Sequence, residues 1–190
     1  NILEYDYLYP HLDDKLFNVK IANKKEFAIN KYIIDINEET NIEEEAKKIC
    51  NKEFQLAPHQ EFLRSFLSIY TPYNGILLYH GLGTGKTCSA IGISEETRKY
   101  LKYNNINQRI LIVASPNVQQ NFRLQLFDEN KLEFKDNKWT INNCAGNNFL
   151  DEINILKSNL TREKVITLVN NIINKYYSFK GYIEFANLIS

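Results

Sequence analysis

The sequence predicts an α/β domain built on a mostly parallel sheet and preceded by a mixed N-terminal extension. Two short continuous apolar runs, Gly75–Tyr79 and Arg109–Ala114, alternate with segments of helical periodicity, as strands buried on both faces alternate with their covering helices. A glycine-rich stretch, His80–Thr87, joins the first run directly to a helix. With 190 residues, 44% of them hydrophobic and 24% charged, the chain can bury a real core, which excludes a disordered or collagen-like molecule.

Residues 1–52 read as the extension: tyrosine-dotted and charged, with a turn at Tyr9-Pro10 and an alternating stretch over Tyr32–Ile36. Asn41 is placed to cap a short helix through Cys50, whose first turn carries Glu43, Glu44 and Glu45 at the positive end of the helix dipole. Residues 53–190 read as the α/β lobe. Pro58 suits a first helical position, and Phe62, Phe66 and Ile69 follow at helical spacing. After the Thr71–Asn74 turn come the first strand, the glycine-rich loop, and a helix from Thr87 to about Tyr103 carrying Cys88, Ala90, Ile91 and Ile93. Arg109–Ala114 is the second strand, and Asn117 to about Phe127 a helix with Val118, Phe122 and Leu126 four apart. Trp139–Cys144 is a weaker strand candidate, and Thr161 is placed to cap a helix through Asn174. Tyr182–Phe185 reads as a last strand. This alternation implies a parallel sheet with helices on both faces.

Twenty-three basic residues balance 23 acidic ones, so the broad positive field of a DNA-coating protein is absent and any nucleic-acid contact has to be local. The basic residues Arg98, Lys99, Lys102 and Arg123 read as a solvated face. Three cysteines (Cys50, Cys88, Cys144), an odd number with no CxxC pair, argue against a disulfide scaffold or a zinc site and predict reduced thiols. No apolar run approaches the roughly 18 residues of a membrane span, and the opening residues lack signal-peptide order. A membrane partner is therefore not expected. The 25 Asn with many Ile and Lys are what AT-rich codons produce, and the absence of Met with Asn at position 1 predicts an excised piece of a longer chain.

The sharpest chemical signal is His80-Gly81-Leu82-Gly83-Thr84-Gly85-Lys86-Thr87. A triphosphate needs converging backbone N–H donors, and glycines let the main chain approach that closely. Gly81, Leu82, Gly83, Thr84 and Gly85 would form the cradle, with Lys86, Thr87 and Cys88 opening the helix whose N-terminal N–H groups favour an anion. Lys86 would reach the β and γ phosphates of ATP, and the Thr87 hydroxyl would ligate Mg²⁺. These two are the expected catalytic side chains. The full phosphate-loop consensus has glycine five positions before Gly85, where this chain has His80, read here as a loop-packing residue.

The form xxxGxGKT resembles motif I of superfamily 2 helicases and translocases, whose first domain is a RecA-like P-loop NTPase lobe. Gln60, 26 residues before Lys86, falls where that family places the glutamine that reads the adenine edge, so Phe54-x-Leu56-x-Pro58-x-Gln60 resembles the Q motif. Ser115-Pro116-Asn117, with Gln119 and Gln120, resembles motif Ia, which holds a nucleic-acid backbone. An ordinary turn with a helix-capping Asn117 accounts for the same residues. The likeness extends to the helicase-like ATPases of large nucleocytoplasmic DNA viruses, the group that includes the small subunit of the poxvirus early transcription factor. Leu56–Gln60, Leu77–Ile91, Gly181–Asn187, Phe17–Ala22 and Lys24–Phe27 carry it.

That resemblance implies an ATP-driven viral motor acting on DNA or RNA, with viral transcription or nuclease proteins as partners and a location in the cytoplasmic viral factory or the virion. Hydrolysis in the family needs a DExH carboxylate pair and arginine fingers from a second lobe. Asp151-Glu152 has no buried strand before it and reads as a helix start, so the carboxylate motif is expected beyond Ser190. The fragment alone is then expected to bind nucleotide without hydrolysing it. A nucleotide-regulated binding module is the alternative. A small-molecule kinase is disfavoured by Gln60 and by the lack of a lid sequence.

Overall fold

The computed structural model describes residues 8–30, 43, 55–81, 83–154 and 160–190. The expectations at Tyr32–Ile36, Asn41, Glu44, Glu45, Cys50 and Phe54, and Leu82 of the glycine-rich loop, lie outside the described residues. In chain order come α1 (Phe17–Asn23), α2 (Lys25–Ala28), α3 (Pro58–Phe66), α4 (Lys86–Tyr103), β1 (Ile110–Val113), α5 (Pro116–Leu126), β2 (Leu132–Lys135), β3 (Lys138–Ile141), α6 (Asn148–Asn154), α7 (Arg162–Tyr176), β4 (Tyr177–Lys180) and α8 (Tyr182–Ile189). The chain is thus a mixed helix and strand protein with a small parallel sheet, compatible with the α/β class.

Helix starts follow local chemistry. Pro58 and Pro116 occupy first-turn positions, where the missing N–H costs nothing. In α5 this makes Ser115, not Asn117, the residue at the N-cap. Thr161 stands at the N-cap of α7 with an extended backbone, though its hydroxyl makes no capping bond.

β1 and β4 pair in parallel, with Ile110 opposite Tyr177 and Ile112 opposite Phe179. Alternate residues of a strand share a face, so these four side chains point to one side, where they meet the main core. Leu111, on the other side, is 39% exposed, and β4 presents Ser178 and Lys180 there. Among the described residues that second face is only partly covered, which corrects the expectation of a strand at 109–114 buried on both. The run Gly75–Tyr79 is a second correction. It enters no ladder, and Leu77 and Tyr79 are 88% and 94% exposed. A strand is held by its neighbour's hydrogen bonds, and among the described residues no strand pairs with this run.

The expected strand at Tyr182–Phe185 is instead the first half of α8. The Gly181 N–H donates to the Glu184 carboxylate at 2.9 Å, a bond that satisfies a helix start, and the strand lies just before it as β4. The weak strand at Trp139–Cys144 shortens to β3, which pairs antiparallel with β2. Asp136 and Asn137 turn this hairpin with φ of 48° and 63°, the left-handed pair that suits a two-residue connection.

Among the described residues two apolar clusters result. The main core gathers Ile91 of α4, Phe122 and Leu126 of α5, Phe149 of α6, and Val165 and Val169 of α7. A separate aromatic cluster joins Tyr9, Phe17 and Phe27 to Phe62 and Phe66 of α3 and to Tyr73. There Phe66 and Tyr73 stack with centroids 4.4 Å apart, and the Tyr73 hydroxyl donates to the Pro10 carbonyl at 2.7 Å.

Arg98 of α4, expected on a solvated face, is completely buried, whereas Lys99, Lys102 and Arg123 are exposed. Its guanidinium donates to both carboxylate oxygens of Glu95 one turn earlier, at 2.8 to 3.0 Å, and to Glu152 of α6 at 2.6 Å. The Phe149 ring lies 4.7 Å from its centre, and the Tyr177 hydroxyl donates to Glu95 at 2.6 Å. Burial favours a neutral Arg98, but Glu95 and Glu152 outweigh it and hold the guanidinium firmly charged. Burial, reinforced by the adjacent Glu95 charge, raises the Tyr177 phenol, so it stays a neutral donor. For Glu152 burial pushes the carboxyl up, yet bonds and charge from Lys102 and Arg98 prevail and keep it below the ordinary glutamate value.

Cys88 and Cys144 are joined in a disulfide, with Cα atoms 5.0 Å apart and a sequence separation of 56. This corrects the expectation of reduced thiols at both positions, because an odd cysteine count without a CxxC pair does not test for one long-range pair. The bond ties the first turn of α4 to the segment between β3 and α6.

Closing a loop of that size stabilises a chain by about 4 kcal/mol in the chain-entropy account. Reduction with dithiothreitol, or Cys88→Ser, is expected to lower the melting temperature by several degrees, and an unchanged calorimetric transition would contradict a bond formed in solution. The lowered Glu152 carboxyl gives a pH expectation. Its contribution is complete above the ordinary glutamate value of 4.5 and is lost as pH falls through the lower folded value. Urea titrations should show Glu152→Gln less stable than wild type by about 1–3 kcal/mol at pH 7, with the gap closing below pH 4.

Candidate nucleotide site

Two glycines bend the loop before α4. Gly83 has φ 78° and Gly85, the N-cap of α4, has φ 80°, backbone conformations that side chains with a Cβ disfavour. The first intrahelical bond of α4 runs from the Ser89 N–H to the Gly85 carbonyl at 3.0 Å. The N–H groups of Lys86, Thr87 and Cys88 therefore precede the helical ladder, an arrangement suited to an anion. Thr84 ties the loop to itself, its hydroxyl donating to the Gly81 carbonyl at 2.8 Å. The Lys86 ammonium donates to the carbonyls of His80 at 3.0 Å and Gly81 at 2.8 Å. It thus lies against the loop, where incoming phosphate oxygens would compete for it.

Helix α3 braces this loop from one side. The Gln60 side chain is 6% exposed; its Oε1 accepts from the Ala57 N–H at 2.9 Å, and its Nε2 donates to the Gly85 carbonyl at 3.1 Å. A Cβ on Gly85 would stand 2.4 Å from that Nε2. Gln60 therefore joins the start of α3 to the glycine that starts α4. Both ends of its amide are committed, so contact with an adenine edge would require exchanging one of these bonds. His59 adds a bond to Thr84, and its ring meets that of His80.

The loop fits a nucleoside triphosphate on its own features: two left-handed glycines, free N–H groups at the head of an 18-residue helix, and a lysine at the mouth. Thr87 begins that helix and is the hydroxyl available to a magnesium ion held chiefly by phosphate and water. Among the described residues no three His, Cys, Asp or Glu side chains converge as metal ligands, and no helix is long and apolar enough to cross a membrane. Cys88 follows Thr87 with its sulfur committed to Cys144, so only its backbone N–H is available to the loop.

The second group of expected residues lies at the C-terminal end of β1. Ser115 is half-buried at the N-cap of α5, while Pro116, Asn117 and Gln120 are exposed on its first turns. Gln119 is committed, its amide donating to the Ala114 carbonyl at 2.7 Å. Ala114 N–H in turn donates to the Lys180 carbonyl at 3.1 Å, which brings the Gly181-Tyr182 turn beside this end of the sheet. The two groups are joined through α4 and α5, which pack together. Asp151 is exposed within α6 and Glu152 is engaged by Arg98 and Lys102, in keeping with their reading as helix residues. Sequence reasoning overlooked the Arg98 network and the engagement of His59. The i,i+3 spacing of Glu95 and Arg98 was the available signal for the first.

The chain is 30% identical over 190 residues to Putative ATP-dependent RNA helicase R563 of Acanthamoeba polyphaga mimivirus, which covers 95% of this chain and 28% of that protein. It is 25% identical over 187 residues to Putative ATP-dependent RNA helicase L377 of the same virus, covering 95% of this chain and 15% of the relative. Over 71 residues it is 32% identical to Putative helicase 087L of Invertebrate iridescent virus 3, covering 34% of this chain and 7% of the relative. The chain is thus homologous to part of proteins named as helicases in large nucleocytoplasmic DNA viruses, and it spans less than a third of the length of these relatives. No family model and no solved structure matches it.

The loop geometry separates its glycines. Gly81→Ala is expected to leave the melting temperature nearly unchanged, since the new Cβ meets only the Thr84 methyl at 3.8 Å. Gly85→Ala combines a left-handed backbone with a clash against Gln60 and should cost at least about 1–2 kcal/mol. Equal melting curves for the two variants would contradict this geometry.

Proposed function

We propose that this chain is the ATP-binding part of a viral ATP-dependent helicase or translocase of the superfamily 2 type. The observation that carries the reading is the His80–Thr87 loop, with two left-handed glycines opening a long helix and a lysine lying across its mouth. The names of the homologues support the same direction. In this reading the N–H groups of residues 83–88 bind the phosphates, Lys86 moves from the His80 and Gly81 carbonyls to the β and γ oxygens, and Thr87 ligates Mg²⁺. ATP, when bound, would supply the β–γ phosphoanhydride bond whose cleavage by water drives movement. Gln60, seated at the junction of α3 and the loop, would report adenine occupancy to α3 by exchanging a bond.

Residues 115–120 are the proposed nucleic-acid contact. Asn117 and Gln120 present exposed amides at a helix start, a combination that holds a phosphate backbone without reading bases. The carboxylates and second lobe needed for turnover are proposed to come from the rest of the protein, as are any contacts with viral transcription or nuclease proteins. The cytoplasmic viral factory or the virion is the proposed location. A nucleotide-regulated binding module is the second reading, and polynucleotide dependence separates the two.

Fluorescent ATP titration with Mg²⁺ should give saturable binding that Lys86→Ala weakens at least about 100-fold, the loss of a charge-assisted contact in a preorganised site. In the full-length protein, ATP hydrolysis should rise with added RNA or DNA, and Asn117→Ala with Gln120→Ala should reduce that stimulation while leaving ATP affinity intact. ATP binding without polynucleotide stimulation would favour the binding module.

A further inference from the structure

Two histidines that a phosphate loop does not require meet beside this one. His80 stands where the consensus loop has its first glycine, and His59 lies on the first turn of α3, next to Gln60. Their rings pack edge to face with centroids 5.7 Å apart. His59 Nε2 lies 3.3 Å from the Thr84 carbonyl; a carbonyl only accepts, so Nε2 carries the hydrogen. Among the described residues the buried Nδ1 of His80 has no hydrogen-bond partner, and the His59 ring packs against that imidazole.

Both contacts lead to Lys86. Its ammonium sits on the His80 and Gly81 carbonyls, and the Thr84 hydroxyl bonds to the same Gly81 carbonyl. Residues 80, 81 and 84 thus form the frame around the lysine, and His59 touches that frame on two sides. Behind His59, helix α3 is anchored through Phe62 and Phe66 in the aromatic cluster with Phe17, Phe27 and Tyr73.

We infer that His59 is a positioning residue of the phosphate loop, holding Thr84 and the His80 ring so that Lys86 and the loop N–H groups are arranged before nucleotide arrives. The inference rests on the nucleotide-binding reading above. A loop already ordered loses less conformational freedom on binding, and the gain appears as affinity.

The test measures the affinity of the full chain for a fluorescent ATP analogue with Mg²⁺ in wild type, His59→Ala, His59→Gln, His80→Gly and the His59→Ala/His80→Gly double variant. His59→Ala should weaken binding about five- to tenfold, the effect of one neutral hydrogen bond with its packing. His80→Gly should weaken it to a similar extent, and the double variant should be little worse than either single, because both act through one ring contact. His59→Gln, whose amide can reach the Thr84 carbonyl, should recover part of the loss. Melting curves without nucleotide should stay close to wild type, as a merely structural role would not predict. If His59→Ala does not fold, His59→Gln and His80→Gly alone decide, through a measurable loss of affinity in the latter. Unchanged affinity in His59→Ala, or losses that multiply in the double variant, would overturn the inference. Wild type that binds nucleotide and loses it in Lys86→Ala, beside an unaffected His59→Ala, overturns only the role of His59. A wild-type chain that binds no nucleotide overturns the nucleotide reading and this inference with it.

Discussion

A completely buried guanidinium sets the terms for the rest of the molecule. Arg98 cannot leave water unless its charge is met by partners that come with it. Glu95 meets it from the same helix, Glu152 from α6, and Tyr177 completes Glu95 from the start of β4. Together these bonds turn one face of α4 toward α6 and β4. The helix that begins at the glycine-rich loop is therefore locked against the sheet strand and against α6 by polar geometry, and the apolar contacts of Ile91 and Leu101 need only fill the space around it. The Cys88–Cys144 bond secures the other end of the same helix, so α4 is held near its first turn and near its middle.

With α4 held, α3 is what shapes the loop. Its apolar face belongs to the aromatic cluster built with Tyr9, Phe17 and Phe27, and its first turn belongs to the loop through Gln60 and His59. One nine-residue helix thus connects a cluster of rings to the carbonyls that hold Lys86. Phe17 against Phe66 and Phe27 against Phe62 bring α1 and α2 into direct contact with that helix, and the Tyr73 hydroxyl ties Pro10 to the same cluster. Leu56, whose methyl stands 3.3 Å from where a Cβ on Gly92 would be, explains why the α3 approach crosses α4 at a glycine.

Legibility followed the range of the interaction. The spacing of Gly81, Gly83, Gly85 and Lys86 places a left-handed turn and a helix start by chemistry within a few residues, and α4 begins at Lys86 as that spacing requires. Pro58 marks a helix start for the same local reason, while the helix expected from Asn117 starts one residue earlier, at Pro116. The apolar run Gly75–Tyr79 has the composition of a buried strand, yet a strand exists only with a partner, and among the described residues it has none. Tyr182–Phe185 has β-forming residues, but one carboxylate, Glu184, reaching back to Gly181 turned the segment into a helix start and left Tyr177 and Phe179 to pair with β1.

The candidate site divides in the same way. By itself the sequence determined the glycine-rich loop, the lysine and threonine that follow it and the helix behind it, because each depends on spacing along one stretch of chain. Only the tertiary structure decided that Gln60 and His59 brace that loop, that Cys88 reaches Cys144 across 56 residues, and that Arg98 is a buried hub instead of a surface charge. Those outcomes depend on which distant groups arrive within hydrogen-bond or bonding distance. Helical spacing offers the Glu95–Arg98 pair, but it carries no record of burial, which depends on Glu152 and Tyr177 arriving from elsewhere in the chain.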